Sequence, residues 1–290
     1  MYKFIAIDLD GTLLNSYGEI SNENKEAIKE AIDKGIQVVL TSGRISKAIE
    51  YISNQIGRNN YLISGNGTII YNIKNNTEIY NKCMSKETVL KIINICEENS
   101  IYYSVFGENS IIAKSLGYNV LVYNSENYKK SPDMKTKINI ISDVYKYIQN
   151  LNQDKFSKIT ICDSSKIIFK GILKKINKIE NIEALDVAHM SRKKIRKGTM
   201  QTELQYYYTD ITSKNVNKWN AIKFLIDNLG IQPEEVITIG DNSNDKEMIA
   251  NAGLGIAMGN SAPNIKEIAD DVVGTNDDNG VAEALYKYVI

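Results

Sequence analysis

Apolar positions along this chain fall into short continuous runs separated by longer stretches of helical period. The first run, residues 3–9, is rich in β-branched side chains and predicts a strand buried on both faces; it stops at Asp8-Leu9-Asp10-Gly11. Ser21 is placed to cap a helix through Lys34, with Ala27, Ile28, Ala31 and Ile32 on one face and Gly35 as its stop. Residues 36–40 predict a second buried strand, which ends at Thr41-Ser42-Gly43-Arg44. Ile45, Ala48, Ile49, Ile52 and Ile56 then recur at helical spacing up to Gly57, and residues 61–64 predict a third strand. This βαβαβ order implies a right-handed, doubly wound parallel sheet.

After Asn66-Gly67 the pattern changes. Residues 68–71 and 77–80 predict a hairpin, and beyond them helices (86–99, 143–151, 166–178) mix with strands (101–106, 137–141, 158–162, 200–208). The first rhythm then returns. A helix is expected over about 216–229, a strand over 235–239 running into Gly240-Asp241-Asn242-Ser243-Asn244-Asp245, and a helix through Met248 and Ile249. A short strand at 255–258 and a helix at 281–288 close the chain. The expected fold class is therefore α/β, a Rossmann-like core of residues 1–84 and 211–290 with an α+β cap domain, residues 85–210, inserted into it.

Composition narrows what such a fold can do. The 35 acidic and 35 basic side chains balance, so no net charge draws nucleic acid or an anionic membrane. Three separated cysteines, Cys83, Cys96 and Cys162, form no CxxC pair and fit a reducing compartment. Nothing in the first residues reads as a signal-peptide core, and no apolar run is long enough to span a bilayer. A cytoplasmic protein, monomeric by default, is expected. With His189 as the single histidine, a His-rich metal site is impossible and catalysis falls to carboxylates, lysine or hydroxyls.

Four polar clusters stand at ends or starts of the predicted core elements: Asp8 with Asp10, Ser42-Gly43, Lys218, and Asp241 with Asn244 and Asp245. In a parallel sheet they converge on one edge. Together they match the needs of phosphoryl transfer. A carboxylate can attack phosphorus once the repulsion between two anions is neutralised, and an oxygen-ligated Mg²⁺ with a lysine does this. A second carboxylate two residues on can protonate the leaving alcohol and later deprotonate water.

These residues resemble the haloacid dehalogenase superfamily, specifically its Cof-type phosphatases with a class IIB cap. Asp8-Leu9-Asp10-Gly11-Thr12-Leu13-Leu14 is similar to the first motif and Thr41-Ser42-Gly43-Arg44 to the second. Asp210-Ile211 with Val216-Asn217-Lys218 resembles the third, and 240–245 the fourth. The resemblance implies Asp8 as nucleophile and Asp10 as general acid/base. It implies Mg²⁺ on Asp8, Asp241 and the Asp10 carbonyl, and phosphate on Leu9, Ser42, Gly43, Lys218 and Asn244, with Asp245 orienting Lys218 or a metal-bound water. Trp219 stands where the family has glycine, with the expectation that it could crowd the site or the cap hinge.

The substrates expected are small phosphate esters of the sugar phosphate, flavin mononucleotide or pyridoxal phosphate type. Competing readings are a phosphomutase or phosphotransferase using the same aspartyl phosphate, and a non-catalytic phosphate-binding protein. The basic run 192–197 is read as a solvated cap loop; the sharper alternative is that Lys193, Lys194 and Arg196 meet a second anionic group on the substrate. The tyrosine run 206–208 is read as strand packing, and His189 and the cysteines as structural.

Overall fold

A computed structural model describes residues 1–57, 60–107, 110–184, 190–197 and 200–290, with backbone alone for 190–197 and 200–204. The chain forms two compact units, Met1–Asn81 with Val216–Ile290, and Lys82–Asn215. The first opens with β1 (Phe4–Asp8), α1 (Asn22–Asp33), β2 (Gln37–Thr41), α2 (Ser46–Ser53), β3 (Tyr61–Ser64), β4 (Ile69–Asn72) and β5 (Thr77–Asn81). The second begins with α3 (Lys86–Glu98), β6 (Tyr102–Gly107), β7 (Ser110–Ala113), α4 (Tyr118–Asn127), β8 (Lys137–Ile140) and α5 (Val144–Asn150). It continues through β9 (Phe156–Asp163), α6 (Lys166–Ile176), β10 (Ile182–Ala184), β11 (Met190–Lys197) and β12 (Met200–Ser213). The chain then returns to the first unit with α7 (Lys218–Leu229), β13 (Val236–Gly240), α8 (Lys246–Asn251), β14 (Leu254–Ala257), α9 (Pro263–Lys266), β15 (Asp271–Val272) and α10 (Gly280–Tyr288).

The sheet of the first unit has the order β15-β14-β13-β1-β2-β3-β4-β5, parallel as far as β3 and antiparallel in the β3-β4-β5 meander. β1 is fully buried because both its faces are covered. Ile5 and Ile7 pack in a core with Ala27, Ile28 and Ala31 of α1 and Val281 and Leu285 of α10. Phe4 and Ala6 point the other way, to Ala221, Ile222, Leu225 and Ile226 of α7. A strand with helices on both sides must be apolar at every position, which is why residues 3–9 read as a run rather than an alternation. α1 starts at Ser21, whose hydroxyl accepts from the Asn24 amide, and stops before Gly35, whose φ of +84° ends the helix. The α/β class and doubly wound core are as expected.

The sheet of the second unit runs β10-β12-β9-β6-β7-β8, with β11 paired to β12. One face packs on helices: Tyr103, Val105, Ile159 and Ile161 meet Ile92 and Ile93 of α3, Ile148 of α5 and Phe169 of α6. Alternate positions are polar. Lys158 and Thr160 of β9 both bond to Asp210 of β12, at 2.7 and 2.5 Å, and Asn119 of α4 donates to Ser104 of β6 at 2.9 Å.

Two expectations change here. The basic run 192–197 is strand β11 and not a loop, paired antiparallel with β12 from Met190↔Tyr207 to Lys197↔Met200; its side chains lie outside the described residues. Asp210 lies in the second unit, where the expected bounds put it, and is held by Lys158 and Thr160. Trp219 packs against the core cluster of Phe4, Val39 and Ile222, so its side chain is absorbed by the hydrophobic layer of α7. His189 lies outside the described residues. Cys83, Cys96 and Cys162 are free thiols, and among the described residues no helix is long and apolar enough to cross a membrane.

Candidate active site

The predicted polar residues of the first unit sit at the carboxyl ends of β1, β2, β3 and β13 and at the start of α7. β1 is bracketed by β2 and β13, so Asp8, Ser42 and Asp241 lie at neighbouring strand ends. Lys218 is fixed from two directions. Asn217 caps α7 through its side chain, which accepts from the Asn220 amide at 2.8 Å. Gly67, at φ +98°, lets the loop after β3 press on that cap: a Cβ there would stand 2.1 Å from the Asn217 carbonyl oxygen.

Lys218 is completely buried, and its Nζ donates to Asp8 Oδ1 and Asp245 Oδ1, both at 2.5 Å. The other Asp245 oxygen accepts from the Asp241 and Asn242 amides at 3.0 and 3.1 Å. Asp245 thus has both oxygens occupied, one orienting Lys218 and the other shaping the turn that carries Asp241. Gly240 makes this turn possible, since a Cβ there would lie 2.5 Å from that of Asp245. Asp241 accepts from the Thr12 hydroxyl at 3.2 Å and packs against Gly11, where any side chain would strike its carboxylate at 2.4 Å.

Oxygens of Asp8, Asp241 and Asp245 lie within 4.8 Å of one another, a grouping that could hold a metal ion. Three carboxylates share one ammonium, and the protonation equilibria show the strain. Burial, then the Asp245 charge, raise Asp8 to about 7 against the pull of Lys218. Burial, then Asp8 and Asp245, raise Asp241 well above the usual carboxylate value. Burial opposes the Lys218 charge, yet Asp245 and Asp8 together hold its pKa above the ordinary lysine range. Hard oxygen donors in uncompensated negative surroundings fit a divalent cation.

Asp10 faces elsewhere. Its carboxylate receives two bonds from Arg44, Nε to Oδ2 at 2.8 Å and Nη2 to Oδ1 at 2.9 Å, a forked pair spanning 34 residues of chain. Leu9, expected at the phosphate, buries its side chain in the core, and its carbonyl accepts from the Leu14 amide. On the opposite side, the Ser42 hydroxyl accepts from the Arg44 amide at 3.2 Å. Gly43 lies under Asn66, where a Cβ would be 2.9 Å from Oδ1, and that same oxygen accepts from Asn244 Nδ2 at 3.0 Å. Ser42, Gly43 and Asn244 are thus drawn together by Asn66, a buried residue at φ +60° that reads in sequence as turn chemistry alone. Asn66, Arg44 and Thr12 are the site residues to which sequence reasoning gave no role. The signal for Asn66 was its position just past the third parallel strand.

The constellation is one that defines a class of enzyme. The chain belongs to the haloacid dehalogenase-like hydrolase family, whose model matches residues 5–285. Within it the chain is a phosphoric monoester hydrolase, as its similarity to named phosphatases shows. It is 30% identical to Phosphatase YwpJ of Bacillus subtilis (strain 168), over 98% of both chains. It is 26% identical to the 5-amino-6-(5-phospho-D-ribitylamino)uracil phosphatase YcsE of the same organism, over 99% of this chain and 96% of that one. A solved haloacid dehalogenase-like hydrolase from B. subtilis superposes with a TM-score of 0.82 at 28% identity, over 99% of this chain and all of the other.

Proposed function

We propose that this chain is a Mg²⁺-dependent phosphatase of small phosphorylated metabolites, of the sugar phosphate or flavin mononucleotide type, that works through an aspartyl phosphate on Asp8. The observation carrying this reading is the buried Lys218 ammonium shared between Asp8 and Asp245, with Asp241 beside them. Likeness to a phosphatase whose named substrate carries a phosphorylated ribityl chain supports the substrate class.

Asp8 ends a rigid, fully buried strand, so its attacking oxygen is held in place before substrate arrives. Lys218 offsets charge on the nucleophile and on the incoming phosphoryl group, and Asp245 keeps that ammonium aimed and protonated. Asp8 forms the bond to phosphorus while the ester oxygen departs and takes a proton from the Asp10 carboxyl, which leaves its fork with Arg44 to bind that proton before the step. Asp10, now ionised, removes a proton from the water that hydrolyses the acyl phosphate, restoring Asp8 and releasing phosphate. Ser42, the Gly43 backbone and Asn244 grip the transferring oxygens. Asp8, Asp241 and the Asp10 carbonyl would hold Mg²⁺, which supplies charge neutralisation for the transferring phosphoryl group. The free thiols support a reducing compartment such as the cytoplasm.

The test is hydrolysis of p-nitrophenyl phosphate by wild type and Asp8→Asn, with Mg²⁺ and with excess chelator. Wild type is expected to turn over only with metal, and Asp8→Asn to lose at least about a thousandfold. Equal rates for the two proteins would end this reading.

A further inference from the structure

The loop that carries Asp10 is not held by its own turn alone. Asn260, just beyond β14, donates from Nδ2 to the Gly11 carbonyl at 2.8 Å. The same side chain accepts at Oδ1 from the Asn276 amide at 3.0 Å, and Asn276 Nδ2 donates to the Leu14 carbonyl at 2.9 Å. One residue on, Asp277 receives both the amide and the hydroxyl of Ser16, at 2.8 and 2.6 Å. Within the turn, Leu13 and Leu14 donate to the carbonyls of Asp8 and Leu9. The segment from Gly11 to Ser16 is therefore clamped along its length by side chains from the loops that flank β15. Gly11 is the weak point of that segment, since its φ of +89° is one of several that glycine adopts at little cost.

We infer that Asn260 and Asn276 are positioning residues for Asp10: by fixing the Gly11 and Leu14 carbonyls they hold the acid/base carboxylate in register with Asp8. Arg44 grips the Asp10 side chain, and the two asparagines grip the backbone that carries it. This inference rests on the proposed roles of Asp8 and Asp10. Asn260 is exposed, and the loop it grips is anchored independently by the buried side chains of Thr12, Leu13 and Leu14, so removing its bond acts on geometry more than on folding.

Leaving-group dependence separates this role from a merely structural one. p-Nitrophenolate departs without a proton, whereas an alkoxide does not, so a displaced Asp10 should hurt alkyl esters selectively. The experiment compares kcat/KM for p-nitrophenyl phosphate with that for the alkyl ester wild type hydrolyses best among hexose, pentose and polyol phosphates. Asn260→Asp keeps the acceptor for Asn276 and removes only the donor to Gly11; Asn276→Ala removes the second grip. Each is expected to lower kcat/KM for the alkyl ester roughly tenfold or more while the aryl ester changes by less than about threefold. In an Asp10→Asn background the same substitutions should add no further selectivity. Equal losses on both esters, or selectivity that persists without Asp10, would overturn the inference. Failure of wild type on every ester would instead overturn the proposed function.

Discussion

Two carboxylates, Asp8 and Asp245, compete for the fully buried Lys218 ammonium. Removing the cation leaves buried acids without compensation, so Lys218→Met is expected to cost on the order of 3–5 kcal/mol in urea unfolding as well as abolishing turnover. The Asp8 equilibrium sets a second expectation. In metal-free protein burial and the Asp245 charge push its pKa up to about 7, from the ordinary aspartate value of 3.8. The folded state therefore binds more protons than the unfolded one between those values, and this group lowers stability as pH rises through that window. An asparagine in its place does not titrate. In chelator, the unfolding midpoint of Asp8→Asn minus that of wild type should thus increase from pH 5 to pH 8; a difference that falls over that range would contradict the assignment. Asp8 and Lys218 were legible in sequence because one stands at a strand end and the other at a helix start. The Arg44–Asp10 fork was not, since nothing local to either residue pairs them across 34 positions.

Gly67 couples two elements, β3 and α7, that are far apart in the chain. Alanine there would meet the Asn217 carbonyl and would have to adopt φ +98°, so Gly67→Ala should displace the start of α7. A loss of roughly 1–3 kcal/mol is expected by thermal unfolding, together with a fall in kcat as Lys218 shifts. At this scale the first unit was readable almost throughout, because burial on both faces of β1, β2 and β13 leaves unbroken apolar runs. The second unit was less so. Strand β11 pairs within the sheet with β12 on one side, and a run such as Arg192-Lys193-Lys194 carries no alternation to betray it. Helix α4 buries only Val120, so its sequence has no period of 3.6 to detect.

Each unit has its own core, with Ile5, Ile7 and Ala31 in one and Ile92, Val105 and Ile159 in the other. Where the chain leaves the first unit and where it re-enters, Tyr80 and Phe224 stack with ring centroids 4.8 Å apart. Joining residue 81 to residue 216 through a short Gly/Ser linker should therefore leave the first unit cooperatively folded, as judged by circular dichroism on heating. Loss of the cooperative transition would show that its core depends on the inserted segment.

The bracketing of β1 between β2 and β13 has a further consequence, one of timing. On the ribosome β1 is made well before its neighbour β13 and the lysine that meets Asp8, which follow more than 200 residues later. The intervening segment, Lys82–Asn215, is complete before that and can fold first. Until then nascent β1 has an exposed edge and Asp8 lacks its cation, so the site is incomplete, and the strand most open to aggregation, while those residues are still being made.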